Sequence, residues 1–138
     1  MVLNFPSKAW VLAYKDALNS DIGAAWQEAA KDWEGDFLFV IEPDAGLKEK
    51  IIFYVDLHHG VCRKVEYYTA DENLPETAFQ YIGIYSNWLK LLKGEIDPIK
   101  GIIMRKFKLV GNKAKVLRAV KAAQELIATA QKIETIFV

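Results

Sequence analysis

Residues 86–112 decide the fold, and they read SNWLKLLKGEIDPIKGIIMRKFKLVGN. The pattern predicts a short helix over Asn87–Lys93, because Ser86 is a favourable N-cap residue and Gly94 is the residue type that most often ends a helix. Asp97-Pro98 predicts a second short helix, since aspartate caps a helix and proline at the first helical position loses no hydrogen bond. The stretch is therefore predicted to form two short helices followed by an extended segment.

The extended part is predicted over Arg105–Val110, where apolar and basic residues alternate, and Gly111-Asn112 forms the turn that follows it. The last and longest helix is predicted over Lys113–Lys132, with inward residues Val116, Val120, Ala123, Ile127 and Ala130. A surface helix usually has one apolar stripe, but the two short helices and their connections are apolar on nearly all sides, with Trp88, Leu89, Leu91, Leu92, Ile96, Ile99, Ile102, Ile103 and Met104. Both sides must then be buried, either in the core or against a hydrophobic ligand.

Upstream of this stretch the sequence predicts two helices and four strands. The first helix begins near Pro6, and the second carries an apolar stripe from Ile22 to Trp33. The strands are rich in Phe, Ile, Val and Tyr and are separated by turn residues, and they are predicted over Asp36–Glu42, Lys50–His58, Val61–Thr69 and Ala78–Ile84. The polar stretch Asp71–Glu76 is predicted to be a loop. This order of elements indicates an α+β protein, and its first three strands are predicted to form an antiparallel meander.

A tight hairpin is predicted at His59-Gly60. A two-residue loop there places Leu57 opposite Cys62 and Asp56 opposite Arg63. It also places the apolar residues of the preceding strand on one face of the sheet, namely Ile51, Phe53, Val55 and Leu57.

The composition is that of an ordinary globular protein, with 138 residues, 52% of them hydrophobic and 26% charged. The length predicts a single domain over residues 1–138. One cysteine, Cys62, excludes a scaffold built on internal disulfides. No apolar run approaches the roughly 18 residues of a membrane span, and the first residues lack a signal-peptide pattern. We therefore expect a cytoplasmic protein.

The formal net charge of zero conceals an asymmetry, because residues 100–124 contain eight basic residues and no acidic one. Such a block can dock on an anionic partner, or it can be a solvated surface balanced by acidic neighbours in space. Nucleic acid is not the expected partner, since the rest of the chain is acidic and no nucleic-acid-binding motif is present. The residues predicted to dock on an anionic membrane are Lys100, Arg105, Lys106, Lys108, Lys113 and Lys115.

No residue pattern predicts catalysis, a metal site or a cofactor. Asp56 and His58 share a strand face but lack further convergent ligands, and Cys62 with His58 lacks any sign of an activated thiol. The isolated glycines match no phosphate-binding loop. We therefore expect no catalytic residue, no metal and no cofactor.

Residues 86–112 resemble the signature of the sterol carrier protein type-2 domain family. That family has a short helix ending in glycine, a turn capped by an acidic residue and proline, a lysine-flanked strand ending in Gly-Asn or Gly-Asp, and a long final helix. Upstream, WEGDFLFVI at 33–41 and FYVDL at 53–57 are similar to its first two strands. The resemblance extends from about residue 7 to residue 130 and is most specific over 92–112.

The resemblance implies a five-stranded, mostly antiparallel sheet covered by helices, with a hydrophobic cavity that binds a fatty acyl chain, phospholipid or sterol without chemistry. By position, the residues expected to line that cavity are Trp88, Leu91, Leu92, Ile103, Met104, Phe107, Phe79, Ile84 and Leu126. A sterol is the less favoured ligand, because the helices near the N-terminus are rich in tryptophan. The chain ends Thr-Ile-Phe-Val rather than in a peroxisomal address.

Two other functions stay open from the sequence. The fold could be a protein-interaction or regulatory module whose core is filled by its own side chains. It could also be an enzyme acting on an acyl substrate, for which Asp56 with His58 is the pair to test. Ile136 and Phe137 near the end of the chain are compatible with a monomer or a homodimer.

Overall fold

The computed structural model describes residues 2–69 and 73–138. Along the chain these form β1 (Leu3–Phe5), α1 (Lys8–Leu18), α2 (Ala24–Ala29), β2 (Glu34–Glu42), β3 (Ile51–His58), β4 (Val61–Tyr68), β5 (Phe79–Ile84), α3 (Tyr85–Leu92), α4 (Pro98–Ile103), β6 (Lys108–Val110), α5 (Lys113–Arg118), α6 (Val120–Gln131) and β7 (Thr135–Phe137). The predicted α+β class is confirmed.

The main sheet has five strands in the order β4-β3-β2-β5-β6. All neighbours are antiparallel except β2 and β5, which run parallel and pair Phe37 with Phe79 and Phe39 with Tyr81. The expected five-stranded, mostly antiparallel sheet is therefore confirmed. The parallel pair brings two aromatic-rich strands side by side at the centre of the sheet.

One face of the sheet carries the main core because strand residues alternate between faces. Ile51, Phe53, Val55 and Leu57 all lie on this face, as predicted, and pack with the helices. On the opposite face a smaller cluster contains Leu38, Val40 and Ile52, and Leu74 from the loop before β5 packs against it. Of the predicted loop, residues 71 and 72 lie outside the described residues.

The hairpin register is confirmed at one pair and wrong at the next. Leu57 faces Cys62 as predicted, but Asp56 faces Lys64 because the register shifts between Asp56 and Leu57. Arg63 still reaches the Asp56 carboxylate, with its Nε 3.1 Å from Oδ2. An irregularity of this kind adds one residue to one strand, which the turn sequence alone does not reveal.

Three predicted helix starts need correction. Helix α1 begins after Ser7, whose hydroxyl accepts a hydrogen bond from the Trp10 N–H at 3.1 Å, rather than at Pro6. The second helix is limited to Ala24–Ala29, after a 3₁₀ turn at Asp21–Gly23. Ser86 is not an N-cap, because α3 has already begun at Tyr85 and the Asp44 carboxylate accepts from both the Ser86 N–H and its hydroxyl.

The predicted strand over Arg105–Val110 and the predicted helix over Lys113–Lys132 are both shorter than expected. Arg105 adopts a left-handed backbone conformation with φ of 61°, so β6 starts only at Lys108. The last helix is interrupted at Ala119 and continues as α6. Val120, the first residue of α6, was predicted to face inward and is 36% exposed, whereas Val116, Ile127 and Ala130 are buried as predicted.

The chain ends form a second, two-stranded sheet that the sequence did not predict. β1 and β7 pair in parallel, with Phe5 opposite Phe137. This pairing carries Phe5 into the main core, where its ring meets the Trp10 ring edge-on at 4.9 Å. None of the helices in the described part of the chain is both long and apolar enough to span a bilayer.

Candidate functional site

The space between the main sheet and the helices is apolar, and the polar atoms of Trp88, Tyr14 and Tyr81 within it are hydrogen-bonded to backbone carbonyls. The Trp88 indole N–H donates to the Val40 carbonyl at 3.0 Å, and the Tyr14 and Tyr81 hydroxyls donate to the Leu126 and Pro98 carbonyls at 2.8 Å. Burial raises the pKa of both tyrosine hydroxyls well above the ordinary value. These groups therefore stay neutral, and they hold the helices against the sheet.

Two voids lie beneath α5 and α6. The first, which we call the Trp33 void, has a volume of about 40 Å³ and is lined by Trp26, Ala30, Trp33, Phe37, Leu57, Val116, Ala119, Ala122, Ala123 and Leu126. The second, the Ile99 void, also has about 40 Å³ and is lined by Phe37, Phe39, Tyr81, Pro98, Ile99, Ile102, Leu109, Val116, Ala123, Leu126 and Ile127. The two voids share Phe37, Val116, Ala123 and Leu126 as common walls.

A third, smaller void continues the row toward α1. This Trp10 void has about 10 Å³ and is lined by Phe5, Trp10, Tyr14, Phe39, Phe53, Trp88, Leu92, Ile127 and Ala130. It shares Phe39 and Ile127 with the Ile99 void. The three voids thus form one row between sheet and helices, divided only by side chains, and we refer to this row as the seam.

The seam as it stands is smaller than an acyl chain. A cavity of about 150 Å³ holds benzene, so a sixteen-carbon chain requires on the order of 400 Å³. A ligand of that size fits only if the dividing side chains move. The expectation of a ready-made, lipid-sized cavity is therefore not met.

The residues predicted to line a cavity divide into three groups. Trp88, Leu92 and Leu126 line the seam. Phe79 and Leu91 are fully buried but line none of the three voids. Phe107 is buried as well, stacked on Tyr81 at 4.5 Å, and it forms part of a surface groove described below.

Three of the predicted lining residues face solvent instead. Ile84, Ile103 and Met104 are 40%, 69% and 63% exposed. Ile84 precedes α3 and points away from the core, whereas Ile103 and Met104 stand at the end of α4, beyond its buried face. The apolar composition of this stretch did not distinguish the buried side of a six-residue helix from its exposed end.

Five of the residues that divide the seam were not among the residues predicted to line a cavity. Phe37, Phe39, Val116, Ala123 and Ile127 each line two of the voids. The period-two spacing of the two phenylalanines was a usable signal, because it places both on the core face of β2. Val116, Ala123 and Ile127 were predicted to face inward on the last helix, and they line the interior voids.

Two cations of the basic block, Lys115 and Lys121, have partners within the protein, and Lys121 Nζ lies 3.2 Å from a Glu125 carboxylate oxygen. Lys115 donates to the Glu34 carbonyl, and its ammonium lies 5.0 Å from the centre of the Trp33 ring. It is therefore engaged with the protein and not free to dock on a membrane. Within residues 2–69 and 73–138, no carboxylate lies within 4.0 Å of the other predicted docking residues, Lys100, Arg105, Lys106, Lys108 and Lys113.

Three of these cations, Arg105, Lys108 and Lys113, line an open surface groove of about 320 Å³. We call it the Arg105 groove, and it is lined by Ile102, Ile103, Arg105, Phe107, Lys108, Leu109 and Lys113. Its floor is apolar and its rim is basic.

The polar pairs weighed for catalysis lie away from the seam. Asp56 pairs with Arg63, and neither Asp56 nor His58 is among the residues that line the three voids. Burial raises the pKa of the Cys62 thiol to about 12, which opposes a nucleophilic role.

The strand register does assemble one cluster that the sequence did not indicate. Glu34 faces His58 across β2 and β3, and His59 Nε2 lies 2.7 Å from a Glu34 carboxylate oxygen. One donor atom from each of the three side chains lies within 4.8 Å of the others. The pairing with His59 lowers the pKa of the Glu34 carboxyl. Glu34 and His59 are exposed, so their hydrogen bond lies at the protein surface.

Solved structures provide the comparison with known proteins. The chain is similar to a crystal structure of sterol carrier protein 2, with 27% identity over 92% of this chain and 97% of that one and a TM-score of 0.79. It is also similar to a conserved hypothetical protein from Thermus thermophilus, for which sterol carrier protein is the suggested identity, with 26% identity over 97% and 92% and a TM-score of 0.84.

A palmitated sterol carrier protein 2-like protein from Aedes aegypti shares the fold at 14% identity, covering 83% of this chain and 90% of that one, with a TM-score of 0.56. No protein-family model and no curated protein matches the chain.

These likenesses define the class as an α+β domain with one apolar interior between a five-stranded sheet and its helices. More narrowly, the chain has a sterol carrier protein 2-like fold.

Proposed function

We propose that this protein binds a single-chain acyl lipid in the seam and carries it between membranes without catalysing a reaction. The observation that carries the proposal is the row of three adjoining apolar voids between sheet and helices. Sterol carrier protein 2-like neighbours support lipid binding or transfer at the level of the family. The palmitated state of the Aedes aegypti protein supports an acyl chain as an occupant of this fold.

The walls of the seam favour a long, narrow ligand over a wide one. The voids lie in a row, and the side chains that separate them are Phe37, Phe39, Leu126 and Ile127. Rotation of these side chains joins the voids end to end. Burial of each methylene stabilises the bound state by roughly 0.8 kcal/mol, which offsets the cost of moving the walls.

The small size of the voids supports a second candidate function. A core already filled by its own side chains fits a protein-interaction or regulatory module that binds no lipid. The two candidates differ in whether the separating side chains move when a lipid is offered.

Native mass spectrometry of the freshly purified chain, followed by organic extraction and titration with palmitate, tests the proposal. We expect one lipid per chain, either co-purified or added. A bare chain mass that neither palmitate nor a sterol shifts would instead support the filled core.

A matched pair of variants locates the ligand. Ala123 lines both the Trp33 void and the Ile99 void, so Ala123→Phe fills the space where they meet. Ala114 on α5 is exposed, and Ala114→Phe adds the same atoms outside the core. We expect the first variant to lose palmitate binding and the second to keep it. Equal binding by both would place the lipid outside the seam.

Docking on anionic membranes is a second part of the proposal. Ile103 and Met104 project into solvent beside the free cations of the basic block. Apolar tips ringed by lysine and arginine suit a bilayer surface, where each well-placed cation contributes about 1 kcal/mol. Flotation with phosphatidylserine vesicles is expected to show binding that decreases steeply with salt. Ile103→Ser with Met104→Ser is expected to reduce it, whereas salt-independent or absent binding would contradict docking.

A further inference from the structure

The Arg105 groove and the Ile99 void lie on opposite sides of the same two side chains. Ile102 on α4 and Leu109 on β6 line both the surface groove and the interior void. Ile102 is half-buried and Leu109 is 3% exposed. Interior and solvent are therefore separated at this place by a wall one side chain thick.

The elements that hold this wall are short. β6 has three residues and pairs on one side only, with β5, at the edge of the sheet. α4 has six residues and is joined to β6 by a turn in which Arg105 is left-handed. Short peripheral elements open at lower free-energy cost than central strands. This corner is thus the part of the seam wall best suited to open.

The rim of the groove has a single sign of charge. Arg105, Lys108 and Lys113 line it, and in the described parts of the chain no carboxylate lies within ion-pair distance of any of them. The chain from residue 100 to residue 124 contains no acidic residue. Charge complementarity therefore selects an anion, and the apolar floor next to the wall selects an anion attached to a hydrocarbon chain.

We infer that the Arg105 groove is the entrance of the seam and the binding site for the lipid's anionic head group. A carboxylate or phosphate group lies among Arg105, Lys108 and Lys113, and its acyl chain passes between Ile102 and Leu109 into the Ile99 void. This inference rests on the proposed lipid-binding function and adds to it the route of the chain and the charge of the head group.

The first test measures the rate of entrance rather than the affinity. Stopped-flow fluorescence follows the association of cis-parinarate, a fluorescent fatty acid, with the wild-type chain, Ile102→Ala and Ile102→Trp. Ile133→Trp is the matched control, since Ile133 is also half-buried and lines neither the groove nor the seam. We expect the association rate constant to rise for Ile102→Ala and to fall at least about tenfold for Ile102→Trp.

Different outcomes would contradict the proposed entrance alone or the proposed lipid binding as well. Association at the wild-type rate by both Ile102 variants, or equal slowing by Ile133→Trp, would overturn the entrance while lipid binding stands. A wild-type chain that binds no parinarate would overturn the proposed function and this inference together. Ile102→Ala removes atoms without overpacking. If the tryptophan variant fails to fold, the association rate of Ile102→Ala alone tests the entrance.

The second test addresses the head group. A triple variant, Arg105→Gln with Lys108→Gln and Lys113→Gln, is compared with Lys8→Gln, Lys48→Gln and Lys90→Gln, which removes three exposed cations elsewhere. Each is titrated with palmitate, palmitoyl lysophosphatidate and hexadecanol, which differ only in head group.

We expect the groove variant to bind the two anionic lipids about tenfold more weakly at low salt and hexadecanol as the wild type does. The larger loss among the two anions identifies carboxylate or phosphate as the preferred group. An equal loss for hexadecanol, or the same loss in the control triple, would overturn the head-group site.

Discussion

The two ends of the seam are packed differently. At one end, which we call the aromatic end, the rings of Phe5, Trp10, Tyr14, Phe53 and Trp88 interlock and leave about 10 Å³. At the other, the alanine end, Ala30, Ala119, Ala122 and Ala123 face the sheet and leave about 40 Å³. Large rings exclude space because they fill it from several sides, whereas facing alanines leave space that only a partner from outside can fill.

This difference assigns a separate task to each end. The aromatic end stabilises the fold, and in our proposal the alanine end and the adjoining Ile99 void accommodate the ligand. The following predictions test whether the two ends differ in this way.

The largest expected difference is in thiol labelling. Cys62 lies on β4 beneath α1 and is 1% exposed, and Asn19 bonds to both its N–H and its carbonyl. With a pKa of about 12, its thiolate fraction at pH 8 is about a thousandfold below that of an ordinary thiol. We expect native-state labelling by Ellman's reagent to be at least that much slower than in denaturant. Ala123→Cys in a Cys62→Ala background is expected to react at least about tenfold faster than Cys62 does.

Labelling of native Cys62 at the rate of a free thiol would contradict the tight packing between β4 and α1. The same pKa has a consequence for stability. The folded chain holds the thiol proton more strongly than the unfolded chain, so its stability decreases as pH rises above the unfolded thiol's pKa.

Tryptophan truncation gives the next largest difference. Trp88 is 3% exposed and donates to Val40, so Trp88→Ala is expected to cost about 3–5 kcal/mol of unfolding free energy. Trp33 is half-buried and already borders a void, so Trp33→Ala is expected to cost clearly less. Urea denaturation measures both. Equal costs would mean that the two ends are packed alike.

An alanine-to-leucine substitution is expected to change the stability of the chain in opposite directions at two positions of α6. Ala123→Leu fills space at the alanine end and is expected to stabilise the lipid-free chain by about 0.5–1 kcal/mol. Ala130→Leu inserts the same atoms beside the Trp10 void and is expected to destabilise it by about 1–3 kcal/mol. Thermal unfolding at fixed pH compares the two variants. A stability change of the same sign in both would mean that the two ends of the seam do not differ in packing.

The smallest expected effect is electrostatic and lies outside the seam. His59 holds the pKa of the exposed Glu34 carboxyl below its ordinary value of 4.5. The contact between them therefore stabilises the folded chain above pH 4.5, and this stabilisation is lost as pH falls through the lowered pKa. Carbon-detected NMR titration is expected to show this lowered pKa and its return toward 4.5 in His59→Asn. The control Lys31→Gln leaves the Glu34 pKa unchanged in our account.

The sequence predicted those parts of the fold that local chemistry determines. Leu57 faces Cys62 because a two-residue loop sets the register next to it, and the aspartate and proline at 97–98 begin α4 because a cap and a first-turn proline suffice. The pairing of β1 with β7 was out of reach, since each strand has three residues and they lie at opposite ends of the chain.

The site was less predictable because it depends on tertiary placement. Of the predicted lining residues, Trp88, Leu92 and Leu126 lie along the seam, whereas Ile103 and Met104 are equally apolar and exposed. Lys115 has the same charge as its neighbours in the basic block, but its ammonium donates to the Glu34 carbonyl and lies over the Trp33 ring. Composition supplied the residue types, and the packing of short elements decided their roles.

The position of a bound acyl chain tests the central claim most directly. Isotope-filtered NMR of the chain with one equivalent of palmitate detects contacts between the lipid and protein methyl groups. We predict contacts from the lipid to Ala123, Leu126 and Ile127, with the head group nearest Arg105. Contacts confined to exposed methyl groups such as those of Ile136 and Val138, or no contacts at all, would contradict a ligand between the sheet and the helices.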